Sequence, residues 1–355
     1  MKILITGICG FVGSTLAKAL LESSEQSEVF GVDNFIRPGS ELNRRELARL
    51  GVKIIHADVR SATDFETLPA ADFVIDAAAN PSVLAGVDGK TSSRQLLEHN
   101  LWGTVNILEY CKAHRAGLIL LSTSRVYSVR PLAALPVEVH QKAFRPKQTV
   151  TLPEGISAAG VREDFSTAPP ISLYGSSKLA SEAIALEYGE TFQFPVWINR
   201  CGVLAGAGQF GKADQGIFSF WLNSHLRKRP LKYIGFDGGG HQVRDCLHPR
   251  DLLPVLLAQM KSDGQGKPRT VNLSGGAKNS MSLAQLTDWC DVRFGKHAVA
   301  TDANSRPFDI PWMILDSSFS EKMWDWSPKI LLPQVLDEIA RHAEQNPNWL
   351  EISNS

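Results

Sequence analysis

Met1-Lys2-Ile3-Leu4-Ile5-Thr6-Gly7-Ile8-Cys9-Gly10-Phe11-Val12-Gly13-Ser14-Thr15-Leu16-Ala17-Lys18-Ala19-Leu20-Leu21 decides the fold. The apolar run stopped by glycine reads as a strand, the G-x-x-G-x-x-G spacing as a tight turn, and the apolar positions after Thr15, recurring at helical spacing, as a helix. Working outward, the alternation repeats. Glu28 to Val32, Val52 to His56, Phe73 to Asp76, Leu118 to Leu121 and Val196 to Asn199 read as strands, and Leu96 to Lys112 and Leu179 to Tyr188 as helices. Short, nearly continuous apolar strands separated by helices predict a parallel sheet buried on both faces, with right-handed crossovers. The expected fold class is doubly wound α/β.

The chain of 355 residues is long enough for a large core in one or two domains. Lys plus Arg (37) balance Asp plus Glu (37), so nothing in the bulk charge recruits nucleic acid or an anionic membrane, and any anion site must be local. The five cysteines, Cys9, Cys111, Cys201, Cys246 and Cys290, lie far apart and lack metal or disulfide spacing. With no secretory or spanning segment evident, the expectation is a cytoplasmic protein. Regularity lapses between Ser128 and Ile171, a proline-rich stretch expected to be functional covering. The expected division is a dinucleotide-binding domain over 1–205, with a returning segment near 243–275, and an interleaved substrate-binding domain over 206–242 and 276–355.

Gly7, Gly10 and Gly13 would let the backbone approach a pyrophosphate at a helix N-terminus; the alternative is a plain strand-to-helix turn. Asp33, ending the second strand, suits ribose hydroxyls and would repel a 2′-phosphate, which favours NAD, although Arg37 is close by. Asp58 suits the adenine amine or a turn cap. Cys9, in a variable position of the loop, reads as a small backbone-lining residue. Tyr174 and Lys178, at i and i+4 on one helical face, form a pair in which the ammonium can lower the phenol pKa and the phenolate can take a sugar hydroxyl proton. Thr123 or Ser124, at a strand's carboxyl end, could hydrogen-bond the reacting oxygen or cap the next element.

The glycine loop, Asp33, Asp76-Ala77-Ala78-Ala79-Asn80, Ser122-Thr123-Ser124-Arg125-Val126-Tyr127 and the Tyr174/Lys178 pair together resemble the extended short-chain dehydrogenase/reductase family, the nucleotide-sugar epimerases and dehydratases, from Met1 to about Trp326. The resemblance implies a Rossmann domain holding NAD, with Phe11, Val12, Asn34, Val59, Ala77, Ala78, Ala79 and Asn100 on the cofactor side, and Thr123, Tyr174 and Lys178 catalytic. The dehydratases carry an Asp-Glu pair where this chain has Ser124 and Arg125, which disfavours dehydration, and Ser128 stands where the family has glycine. Within the family, Arg37 to Asn43, Gly155 to Glu163 and Gln209 to Gly216 most resemble the CDP-paratose (CDP-tyvelose) 2-epimerase branch. That implies a CDP-hexose substrate touched by Ser124, Arg125, Gln209, Arg244 and Arg306, the last two on the diphosphate, where guanidinium forks suit paired phosphates. For Arg244 the alternative is an ion pair with Asp245 or Asp251. His241 and His248 lack partners at metal spacing, and no metal is expected. Rival readings are a UDP-hexose 4-epimerase and a non-catalytic dinucleotide sensor. Apolar residues around the Leu96 and Leu179 helices, Leu97, Trp102 and Ile184 among them, predict a homodimer through both helices.

Overall fold

In the computed structural model, which describes all residues except 24–26, 88, 90, 91, 150, 213, 214 and 355, the opening stretch forms β1 (Lys2–Thr6) and α1 (Phe11–Glu22). The other strands of the central sheet are β2 (Glu28–Asp33), β3 (Lys53–His56), β4 (Phe73–Asp76), β5 (Gly117–Thr123), β6 (Val196–Cys201) and β7 (Thr270–Leu273). All seven run parallel in the order β7-β6-β5-β4-β1-β2-β3. Side chains alternate across the pleat, so Ile3, Ile5, Ile75, Ile119 and Trp197 pack on one face while Leu4, Val74, Leu118, Leu120 and Ile198 pack on the other. The continuous apolar strands are explained by this double burial. The chain builds outward from β1 to β3, then returns to place β4 on the other side of β1. Strand order therefore reverses between β1 and β4, and at such a switch point the carboxyl ends of the strands open a crevice.

The helix expected over Leu96 to Lys112 has a finer structure. A turn at Ser93–Leu97, capped by Ser92, whose hydroxyl accepts from the Gln95 amide (3.0 Å), runs into a π-turn at Glu98–Trp102 and then into α2 (Gly103–His114). The second expected helix is longer than its apolar pattern: α3 spans Leu173–Phe192 and begins at the Ser172 cap.

The Ser128 to Ile171 stretch differs from expectation. It contains a short helix (Val129–Ala133) and an antiparallel hairpin pairing Val137–His140 with Ala143–Pro146. Its Leu132, Ile156, Val161 and Phe165 form a core with Val243 and Ile310 to Leu315. None of its described residues lines the cavity below; it buttresses the wall from behind. The carboxyl-terminal third likewise holds more strand than the sequence suggests, including Val243–Leu247, flanked by Ser280–Ser282 and Trp312–Met313. A separate apolar core forms from Trp221, Leu222, Leu286, Val335 and Ile339. Among the described residues, no helix is long and apolar enough to cross a membrane. The five cysteines are free and buried.

Candidate active site

The crevice widens into a cavity of about 550 Å³ that runs from the glycine loop, past the end of β5, to three arginines. At its first end Gly7 takes φ +61, a left-handed conformation that a side chain would oppose, and a Cβ on Gly13 would collide with the Gly7 carbonyl oxygen. The loop therefore lies directly on the start of α1, where Gly10 offers no side-chain cap to the first-turn amides. Gly7, Gly10, Phe11 and Val12 line the cavity, whereas Gly13 packs behind them. Asp33 ties the loop to β2: its Oδ2 accepts from the Cys9 amide (2.9 Å) and its Oδ1 from that of Phe35 (2.8 Å). Burial raises the Asp33 pKa, against those two amides. Burial, with Asp33 alongside, pushes the Cys9 thiol up to about 12, which removes a reactive-thiolate reading.

Asn34, Val59, Ala77, Ala78 and Ala79 also line this end. Asp58 does not, because Arg60 takes both its oxygens (2.9 and 2.6 Å) and Asn34 donates to it as well (3.0 Å); its carboxyl is held far below the usual range, chiefly by Arg60. Asn100 is also off the wall. Its amide bonds the Asn80 main chain (2.8 and 3.1 Å) and Ser177 Oγ (3.1 Å), so the π-turn locks the end of β4 to α3. Arg37 turns from the adenosine end to Gln215 Oε1 (3.0 Å) and lies over the Phe210 ring.

At the middle of the cavity Thr123 closes β5 and Tyr174 lies in the first turn of α3, both on the cavity wall and near enough for the Thr123 hydroxyl to bear on the phenol. Burial raises the phenol pKa, opposed by the Thr123 hydroxyl and the Arg125 charge. This corrects the expected electrostatics. Lys178 sits one turn below Tyr174, 2% exposed and off the cavity wall, and its charge is felt instead by Asp76 and Cys201. Beneath Thr123, Ser122 Oγ donates to Glu182, which pairs with Arg200 (2.7 Å); Arg200 also reaches Tyr127 Oη and the Glu163 carbonyl (both 3.3 Å).

The far end gathers residues distant in sequence. Arg244 pairs with Asp309 (3.2 Å) rather than with either expected neighbour: Asp245 accepts from Ser274 Oγ, and Asp251 from the Ile330 amide (3.0 Å). Gln242 donates to the Ile234 carbonyl (2.8 Å) and to Asp309 (3.3 Å), and Arg125 Nη1 donates to the Phe308 carbonyl (3.3 Å). Ser124, Gln209 and Arg306 line the same wall. Ala213 and Asp214, part of the segment used to discriminate branches, lie outside the described residues.

The open first turn of α1, the glycine cradle and a buried carboxylate at the end of β2 together fit a dinucleotide. The sequence pattern of the NAD dependent epimerase/dehydratase family matches residues 3–274. The chain belongs to this family. Among its relatives are CDP-paratose 2-epimerase of Salmonella typhi, 28% identical over 93% of this chain and 95% of that one, and UDP-glucuronate 4-epimerase of Thermodesulfobacterium geofontis, 25% identical over 97% and 96%. The crystal structure of UDP-glucuronic acid 4-epimerase from Bacillus cereus in complex with UDP-glucuronic acid and NAD superposes with a TM-score of 0.76 at 25% identity, covering 97% of this chain and 99% of that one.

In this epimerase/dehydratase, sequence reasoning missed Asp309 as the carboxylate of the arginine cluster and the Glu182/Arg200 pair under Thr123. The second had a signal. Glu182 interrupts the apolar run of α3 and Arg200 stands in the fully buried strand Val196–Cys201, and a charge inside a buried pattern implies a buried partner.

Proposed function

We propose that this enzyme epimerises C2 of a CDP-linked dideoxyhexose of the paratose/tyvelose type through a transient 2-keto sugar. The observation that carries the reading is one cavity in which Thr123 and Tyr174 meet and, beyond them, Arg244 and Arg306 face the same space. The 28% identity with a CDP-paratose 2-epimerase over nearly the whole chain supports the choice of branch. Tyr174 takes the C2 hydroxyl proton as the C2–H bond breaks and the carbonyl forms, then returns the proton to the alkoxide oxygen. Thr123 holds that oxygen. NAD, held by the Gly7 to Gly13 loop and Asp33, would supply the hydride acceptor and donor for C2 when bound. Arg244 and Arg306 hold the diphosphate while the keto sugar turns its other face. Lys178, under Tyr174, is proposed for the cofactor ribose and offsets the buried Asp76 carboxylate. The buried Asp33 carboxylate disfavours a 2′-phosphate, which supports NAD over NADP. A cytoplasmic homodimer is part of the reading: Leu97, Trp102, Leu173 and Phe192 stand 38–57% exposed on and beside the two helices.

The test is incubation of the protein as isolated with CDP-paratose, CDP-tyvelose, UDP-glucose and UDP-glucuronate separately, following the sugar protons by NMR. Interconversion of the two CDP sugars is expected. Conversion of a UDP sugar at C4 with the CDP sugars untouched would reassign the carbon, and no conversion of any, with NAD bound, would favour a dinucleotide sensor. Light scattering at micromolar concentration should return twice the chain mass.

A further inference from the structure

Arg125 is not accounted for by a pair of diphosphate arginines. It lies two residues after Thr123, its amide donating to Thr123 Oγ1 (3.2 Å), and its carbonyl occupies the space a side chain on Gly175 would need, so its backbone is clamped between the end of β5 and the first turn of α3. It cannot shift without moving Thr123 or Tyr174. Its guanidinium points away from this clamp into the cavity. Nη1 makes the bond to Phe308, while Nε and Nη2 have no protein acceptor among the described residues and are not sealed from the cavity. A guanidinium with one edge of its donor fork open is built to take an oxyanion.

The charges around it say which one. Arg125 is in electrostatic range of Tyr174 on one side and of Arg244, Arg306 and Asp309 on the other. Burial, helped by the two like charges, pushes its pKa down to about 10, so the cluster is short of anions. Arg125, Arg244 and Arg306 outnumber the two carboxylates in their range, Asp309 and Asp245, the latter also accepting from Ser274 Oγ, so the cluster keeps a net positive charge that suits a phosphate.

We propose that Arg125 grips the sugar-side phosphate of the substrate and thereby brings that phosphate beside Tyr174, so that the carbon presented for reaction is the one adjoining the anomeric carbon. The inference rests on the reading above as a nucleotide-sugar epimerase. It deepens that reading by giving C2 a structural cause. A phosphate ester leaves the sugar from the anomeric carbon; C2 is one bond from it, whereas C4 lies across the ring. A single side chain can serve the phosphate and stand next to the catalytic phenol only if the reacting carbon is near. A basic residue here, where the dehydratases of the resembled family carry an acid, would then mark C2 chemistry.

The probes are CDP and CMP, titrated calorimetrically into the NAD-loaded protein, since CDP carries the sugar-side phosphate and CMP lacks it. Arg125→Gln should weaken CDP at least tenfold and CMP less than twofold, with near-UV circular dichroism and NAD content unchanged. Arg125→Lys, which keeps the charge and loses the fork, should fall between. Equal losses for CDP and CMP, or none, would overturn the phosphate contact whatever the sugar. A wild-type protein that loses CDP affinity on Arg125→Gln yet converts UDP-glucose at C4 would keep the contact and overturn the C2 argument. For turnover of CDP-paratose, Arg125→Gln should raise KM and lower kcat together, because the phosphate is both anchored and used to place C2.

Discussion

The two ends of the cavity are made in opposite ways. At the dinucleotide end, the glycine loop and Asp33 come from 27 consecutive positions, Gly7 to Asp33, and act largely through main-chain amides. At the far end, Arg125, Arg244 and the turn carrying Arg306 and Asp309 arrive from three separate segments and act through side chains. The first is a property of local sequence; the second exists only when the whole chain has folded. The dinucleotide end should therefore fail through single backbone intrusions, and the far end through broken long-range pairs.

The strongest test strikes where the ends meet. Tyr174→Phe keeps the ring and removes the proton acceptor, and turnover should fall by roughly 10²–10⁴ with NAD content unchanged; near-normal turnover would place the base elsewhere. Breaking the long-range support comes next. Arg200→Ala strands Glu182 in the interior, and chemical denaturation should show a loss of about 3–5 kcal/mol. Gly13→Ala tests the local end by pressing a methyl against the Gly7 carbonyl: a loss of about 1–3 kcal/mol is expected, with NAD retained less well through gel filtration. A variant as stable and as NAD-loaded as wild type would show that the loop yields. Cofactor choice is a milder probe, with apo protein expected to bind NADP at least tenfold more weakly than NAD, a difference of about 1.4 kcal/mol or more. The smallest effect belongs to Asp58. Its carboxyl is held below its ordinary range by Arg60, so it contributes stability above the ordinary aspartate value, and that contribution is lost as pH falls through the lowered folded-state value. Below about pH 4, Asp58→Asn should lose stability less steeply with acid than wild type.

The same contrast explains what could be read from the chain. A parallel α/β sheet with six of its seven strands, and the glycine turn, follow from apolar runs and local spacing, and these were legible; the seventh strand, Thr270–Leu273, was not. The hairpin at Val137–Pro146 was not. Its two-residue turn is Gln141-Lys142, at φ 48 and 63, where glycine or asparagine would normally announce such a turn. Tertiary bonds hold it instead: the Lys142 carbonyl accepts from Ser282 Oγ (2.7 Å) and bonds the His241 ring (2.9 Å). The Arg244 partner was hidden for the same reason, since Asp309 lies 65 positions away while Asp245 adjoins it. Lys178 was assigned a direct effect on the phenol because helical spacing fixes only the shared face; how deeply each side chain is buried depends on β4 and β6, which bring Asp76 and Cys201 against it.

The Glu182/Arg200 pair has a consequence for how this enzyme can change over generations. Either residue replaced alone leaves the other as an unpaired interior charge directly under Ser122 and Thr123, so both single steps are penalised, whereas two well-packed apolar side chains at the same places could be tolerated. A lineage that keeps Thr123 in register therefore holds the two positions together or exchanges them together. Sequences drifting from this one should vary at 182 and 200 as a linked pair, even where the surrounding helix and strand diverge freely.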